Sequence, residues 1–153
     1  MRRGARLALC ALVLAILAPG CPQDQKAGTG PLAGGYLANA KSLERALGKL
    51  VEQLESADAQ LAAGSAHVSF EPLATRDLER LSGRLDLATK GKVDETLAAS
   101  REVESGLDEL AKTPPREKPS PAQLDQLRRL VARAAAAARE ARVRMARFID
   151  QWS

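Results

Sequence analysis

From Tyr36 onward, apolar residues recur at helical spacing. Tyr36, Ala40, Leu43, Leu47, Leu50, Leu54, Ala57 and Leu61 follow one another at steps of four and three. That alternation is the a/d seam of a heptad repeat. Charged residues fill the intervening positions, and Gly64 offers a left-handed C-terminal stop. The pattern predicts a helix over about 36–63. Beyond it, Val68 and Phe70 alternate with polar residues over a stretch too short for a sheet. A loop is expected there, with Phe70 folded over one end of the bundle.

The second periodic segment, about 72–112, holds two stripes. Leu78, Leu81, Leu85 and Ala88 form one; Leu97, Val103, Leu107 and Leu110 form the other. Their phases join at a period near 3.67, which predicts one long helix opened by Pro72. Gly91 is its expected weak point, since an interior glycine costs about 1 kcal/mol. A break at Gly91 would give four helices in place of three. An unbroken helix of some forty residues would span about 60 Å, against about 42 Å for the first.

Residues 113–121, rich in proline, break the pattern. Ser120, Pro121 and Gln123 then form a capping box with proline at the first helical position. The last helix, 121–152, carries a seam of Leu124, Leu127, Val131, Ala134, Ala138, Ala141, Met145, Phe148 and Trp152. Its ends are large and its middle is alanine, so the bundle is expected to be narrow at its waist. The fold class that follows is all-α, an antiparallel three-helix bundle resembling a coiled coil.

The first twenty residues follow different rules. Arg2, Arg3 and Arg6 precede an apolar run from Leu7 to Ala18. Twelve residues are too few for a spanning helix, which needs about twenty. A basic start, a short apolar core and small residues at its end read as a secretory signal peptide. Ala18-Pro19-Gly20-Cys21 resembles the lipobox of bacterial lipoproteins. The resemblance implies acylation of Cys21 as the first mature residue, and so a lipid-anchored protein facing the periplasm or exterior. In that family an aspartate after the cysteine is similar to an inner-membrane retention signal. Pro22 stands there instead, which favours the outer membrane. Ala18-x-Gly20 also satisfies the ordinary signal peptidase, which would release a soluble protein from the same bond. After Cys21, residues 22–35 hold four glycines and two prolines and read as a tether; fourteen such residues reach on the order of 20 Å.

Export changes the electrostatics. The whole chain carries +4, but three of its 23 basic residues lie in the segment expected to be removed. The mature part is then nearly neutral, and net charge makes no case for nucleic acid. Cys10 leaves with the signal, so no internal disulfide can form. Aromatics amount to 3% of the chain, too few for stacking platforms.

Charge is unevenly spread. The last helix holds seven arginines against Asp125, Glu140 and Asp150. Arg128, Arg133, Arg139, Arg142, Arg144 and Arg147 are candidates for binding an anionic surface. The alternative is internal pairing with the two more acidic segments, because charges flanking a heptad seam select partner helices. Phe148 and Trp152 are candidate partner anchors, or else core filling. The sole histidine, His67, lies in a loop without the usual metal-ligating partners. The carboxylates of 94–109 alternate with basic residues, as on a solvated face. No phosphate loop, nucleophile elbow or HExxH motif is present. No catalytic residue, metal or cofactor is therefore expected. The reading is a non-catalytic binding or spacer module of the cell envelope, partnered by the membrane through its lipid and by an envelope protein or anionic surface. The alternatives are a soluble periplasmic chaperone or carrier, and a coiled-coil subunit of an envelope assembly, for which self-association is open.

Overall fold

A computed structural model describes residues 34–74, 76–81, 83–114 and 117–153, with no account of the side chains of 77–79. The signal segment, Cys21 and nearly all of the tether lie outside the described residues. Among the described residues four helices follow in order: α1 (Gly34–Ala62), α2 (Arg76–Leu81), α3 (Leu87–Ala111) and α4 (Pro121–Trp152). The protein is an all-helical bundle of three long helices, and α2 is a short turn within the connection between the first two. None of the four is long and apolar enough to cross a membrane.

The heptad positions of α1 and α4 form the core. Ala40, Leu43, Leu47, Leu50, Leu54, Ala57 and Leu61 are buried on α1. Leu127, Val131, Ala134, Ala138, Ala141, Met145 and Phe148 are buried on α4, while Leu124 and Trp152 are half-buried at its ends. The local stops are those the sequence predicts. Gly64 has φ +79°. Its N–H donates to the Leu61 carbonyl, and that of Ser65 to the Gln60 carbonyl, closing a Schellman motif. At the start of α4, the Gln123 N–H donates to Ser120 Oγ at 3.2 Å and the Ser120 N–H to Gln123 Oε1 at 3.0 Å.

The segment 72–112 is where the structure departs from the pattern. It is not one helix, and the break is not at Gly91. Gly91 lies exposed inside α3, supported by a Lys90–Asp94 pair at 2.5 Å and a Lys92–Glu95 pair at 2.9 Å. The chain turns instead at Gly83, also at φ +79°. A new helix then starts under Asp86, whose carboxylate accepts from the Thr89 N–H at 2.9 Å. Covering decides the matter. A helix of about 60 Å would overhang α1, whereas α3 at about 37 Å matches α1 at about 43 Å. Breaking at Gly83 also lets Leu73, Leu81 and Leu85 enter the core.

Ion pairs fix the directions. Arg128 meets Asp58 and Arg142 meets Glu44, so α4 is antiparallel to α1. Arg133 meets Glu102 and Lys92 meets Glu140, so α4 is antiparallel to α3 as well. α1 and α3 therefore run the same way, and residues 63–86 carry the chain back between them. α4 packs directly against both, while the backbones of α1 and α3 stay apart. Val68, Phe70 and Leu73 of the returning strap pack on the core. The Glu71 N–H donates to Gln53 Oε1 of α1 at 3.3 Å. Phe70 belongs to this strap and lines a pocket with Gln60, in the last turn of α1, and with Leu107 and Ala111, in the last turns of α3.

At the waist, small residues meet small residues. The α3–α4 register sets Thr96 and Ser100 at the level of Ala138 and Ala134. Both hydroxyls are buried and satisfied within α3: Thr96 donates to the Lys92 carbonyl at 2.8 Å, Ser100 to that of Leu97 at 3.0 Å. Their hydrogen bonds therefore remove the usual cost of burying a hydroxyl.

Candidate functional site

The basic face of α4 is the strongest site the sequence offers, and the fold spends most of it internally. Arg128 Nε donates to Asp58 Oδ1 at 2.9 Å. Arg139 reaches Glu55 at 2.6 Å and Arg142 reaches Glu44 at 2.7 Å, both across the α1 seam. Arg133 pairs with Glu102 of α3. Arg144 has a long contact of 3.5 Å to Glu140 on its own helix, and its Nε is buried without a partner. Of the six candidate arginines, only Arg147 has no ion pair among the described residues.

These contacts shift the titration of several groups. The hydrogen bond to Asp58, and then that carboxylate's charge, raise the Arg128 pKa; Glu44 does the same for Arg142. Glu140 is held below the usual glutamate range, first by the hydrogen bond from Lys92. Lys92 is pushed up by Glu95 and then by Glu140. Arg142 and Glu140 are exposed and Arg128 and Lys92 half-buried, so water still screens these pairs and each contact fixes geometry more than it adds stability.

A glycine that the heptad pattern does not single out shapes this face. Gly48 is buried beneath the Arg142 guanidinium, where an added Cβ would lie 3.3 Å from Arg142 Cζ. The missing side chain lets Arg142 lie flat across α1 to reach Glu44. Glycine at a seam-flanking position opposite an arginine is the sequence signal, legible only once the partner helix and its register are known.

An open groove of about 580 Å³ runs between α1 and α4, lined by Arg128, Arg129 and Arg139 and by Glu55, Asp58 and Asp125. Its charges are balanced, which suits neither a strongly anionic nor a strongly cationic ligand. Arg129, which is not one of the six candidate arginines, is exposed there without an ion pair among the described residues.

Two other places bear on chemistry. His67 sits in an open pocket of about 440 Å³ with Phe70, Gln60, Glu104 and Asp108. The strap brings this histidine to the carboxylates of α3, a juxtaposition that sequence spacing hides. No hydrogen bond or ion pair links them, and among the described residues no three acidic, histidine or cysteine side chains group as metal ligands. An apolar notch of about 240 Å³ lies over Gly106, Leu110, Leu127 and Leu130.

Phe148 is 4% exposed and fills the core. Trp152 is half-buried, with its ring 6.3 Å from that of Phe148 and tilted by 50°. Phe148 is thereby placed inside the bundle and Trp152 at its rim. Cys21 lies outside the described residues. Compared with protein-family models, curated proteins and solved structures, the chain matches none.

Proposed function

We propose that the protein is an exported, lipid-anchored spacer of the bacterial envelope, acting by position and binding rather than by catalysis. The observation that carries the reading is the run Arg2 to Cys21: a basic start, a twelve-residue apolar core and a lipobox-like end, followed by a glycine- and proline-rich tether. The bundle's character supports it. Its core is closed, its basic helix is paired largely with its own acidic helices, and its pockets are open grooves. The parts divide the work: an acyl chain on Cys21 holds the membrane, residues 22–33 set the reach, and the bundle supplies a stiff body about 45 Å long.

Fatty-acid labelling with membrane fractionation tests this, comparing the wild type with Cys21→Ser. Label and membrane retention that both depend on Cys21 are expected. An unlabelled, soluble wild type would sink the anchor and leave a secreted bundle cut by the ordinary signal peptidase.

A further inference from the structure

The bundle is electrically polarised along its length. α1 begins, α3 begins and α4 ends at one end of the molecule. Residues 34–49, 76–81, 83–90 and 142–153, whose backbone builds that end, contain ten basic and five acidic residues. Residues 50–74, 101–114 and 117–135, which build the other, contain six basic and ten acidic. The split is sharpest in α1, where Lys41, Arg45 and Lys49 precede Glu52, Glu55 and Asp58. Only the fold makes this a polarity, because α4 is basic throughout and its neighbours decide which part is neutralised. Asp58, Glu55 and Glu102 engage Arg128, Arg139 and Arg133 toward the acidic end. At the basic end, Lys41, Arg45 and Arg147 are exposed with no ion pair among the described residues.

The same end displays apolar and aromatic groups. Leu87, the first residue of α3, is 89% exposed, the most exposed large hydrophobic side chain of the described residues. Tyr36 is half-buried, with the Arg84 guanidinium 4.9 Å above its ring. Trp152 stands half-buried at the rim. Arg147 lies two heptads on from Arg133 and one from Glu140, both of which meet α3. It therefore sits on the flank of α4 that faces the start of α3, near Leu87. Basic side chains beside an exposed leucine and amphipathic aromatics are the composition of surfaces that sit in a lipid headgroup layer. The polypeptide leading to Cys21 enters at this end, through Gly34.

We propose that this end of the bundle docks on an anionic phospholipid surface, Lys41, Arg84 and Arg147 meeting the phosphates while Leu87 and Trp152 enter the headgroup layer. The placement rests on the lipoprotein reading, which puts the N-terminus of α1 next to the membrane. Docking would set the bundle upright, its acidic end directed away from the bilayer. Each basic residue held near an anionic surface strengthens binding about fivefold.

Trp152 is the sole tryptophan and reports on this end. The mature protein, purified from cells, is mixed with vesicles of phosphatidylcholine carrying brominated acyl chains, with and without phosphatidylglycerol. Quenching of Trp152 is expected with the anionic vesicles only, and is expected to vanish near 1 M salt, where the screening length falls to about 3 Å. Lys41→Glu with Arg147→Glu should remove it at unchanged helicity. Arg129→Glu, at the acidic end, should leave it intact. Equal quenching in neutral and anionic vesicles, quenching in neither, or loss with Arg129→Glu would each overturn the proposal. Intact mass of the same sample reads the acylation of Cys21. Acylated protein without quenching sinks the docking surface and keeps the anchor; unacylated protein quenched only by anionic vesicles does the reverse.

Discussion

Single side chains at the helix ends and at the waist decide how tightly the helices fit. Asp86 is the N-cap of α3. Burial acts to raise its pKa, but hydrogen bonds from the Thr89 side chain and from the Thr89 and Ala88 backbone outweigh it and hold the carboxyl below its ordinary 3.8. A carboxyl depressed on folding adds stability above its unfolded pKa and loses it as pH falls through the folded value. Asp86→Ala should cost about 1 kcal/mol at neutral pH in urea unfolding. The difference between wild type and this variant should shrink as pH drops below about 4. Ala138 is fully buried opposite Thr96, whereas Ala136 on the same helix is exposed. Ala138→Leu should overpack the seam and lose about 1–3 kcal/mol. Ala136→Leu should leave stability almost unchanged, and comparing their urea midpoints checks both.

At the scale of elements, two glycines with opposite roles locate the break in the second segment. Gly83 has φ +79° and Gly91 is helical and exposed, with open space where each Cβ would go. Crowding therefore plays no part, and backbone conformation alone sets the sign. Gly83→Ala should destabilise by about 1–2 kcal/mol, the cost of a left-handed alanine. Gly91→Ala should stabilise by up to about 1 kcal/mol. The reverse order in thermal unfolding would place the break at Gly91 after all. The strap is the other element the pattern undervalues. Leu73 is 8% exposed, inside the core between α1 and the chain's return path. Leu73→Ala should cost about 2–3 kcal/mol. A neutral result would mean that residues 63–86 merely overlie the bundle.

For the whole molecule, charge organisation matters more for orientation than for stability. The cross-helix pairs of α4 are exposed or only partly buried and individually weak, so high salt should change the unfolding midpoint little while abolishing attraction to an anionic bilayer. The six candidate arginines were legible as a basic stripe. Sequence alone could not say that Arg128, Arg133, Arg139 and Arg142 would be matched by Asp58, Glu102, Glu55 and Glu44, because helix direction and register choose each partner. For the same reason the meeting of His67 with Glu104 and Asp108 appears only when the strap has been traced.

Local rules carry no information about what lies across a seam, and this divides what each level determined. The all-helical class, the buried faces of α1 and α4, the Gly64 stop and the Ser120 capping box are all readable along the chain, because each depends on residues within a few turns of one another. The split of 72–112 at Gly83, the shared direction of α1 and α3 and the basic character of one end emerge only when the helices pack. A stripe of leucines fits a long helix or two shorter ones equally well. The choice falls to whichever covers its neighbours end to end, and that is a property of three helices packed together.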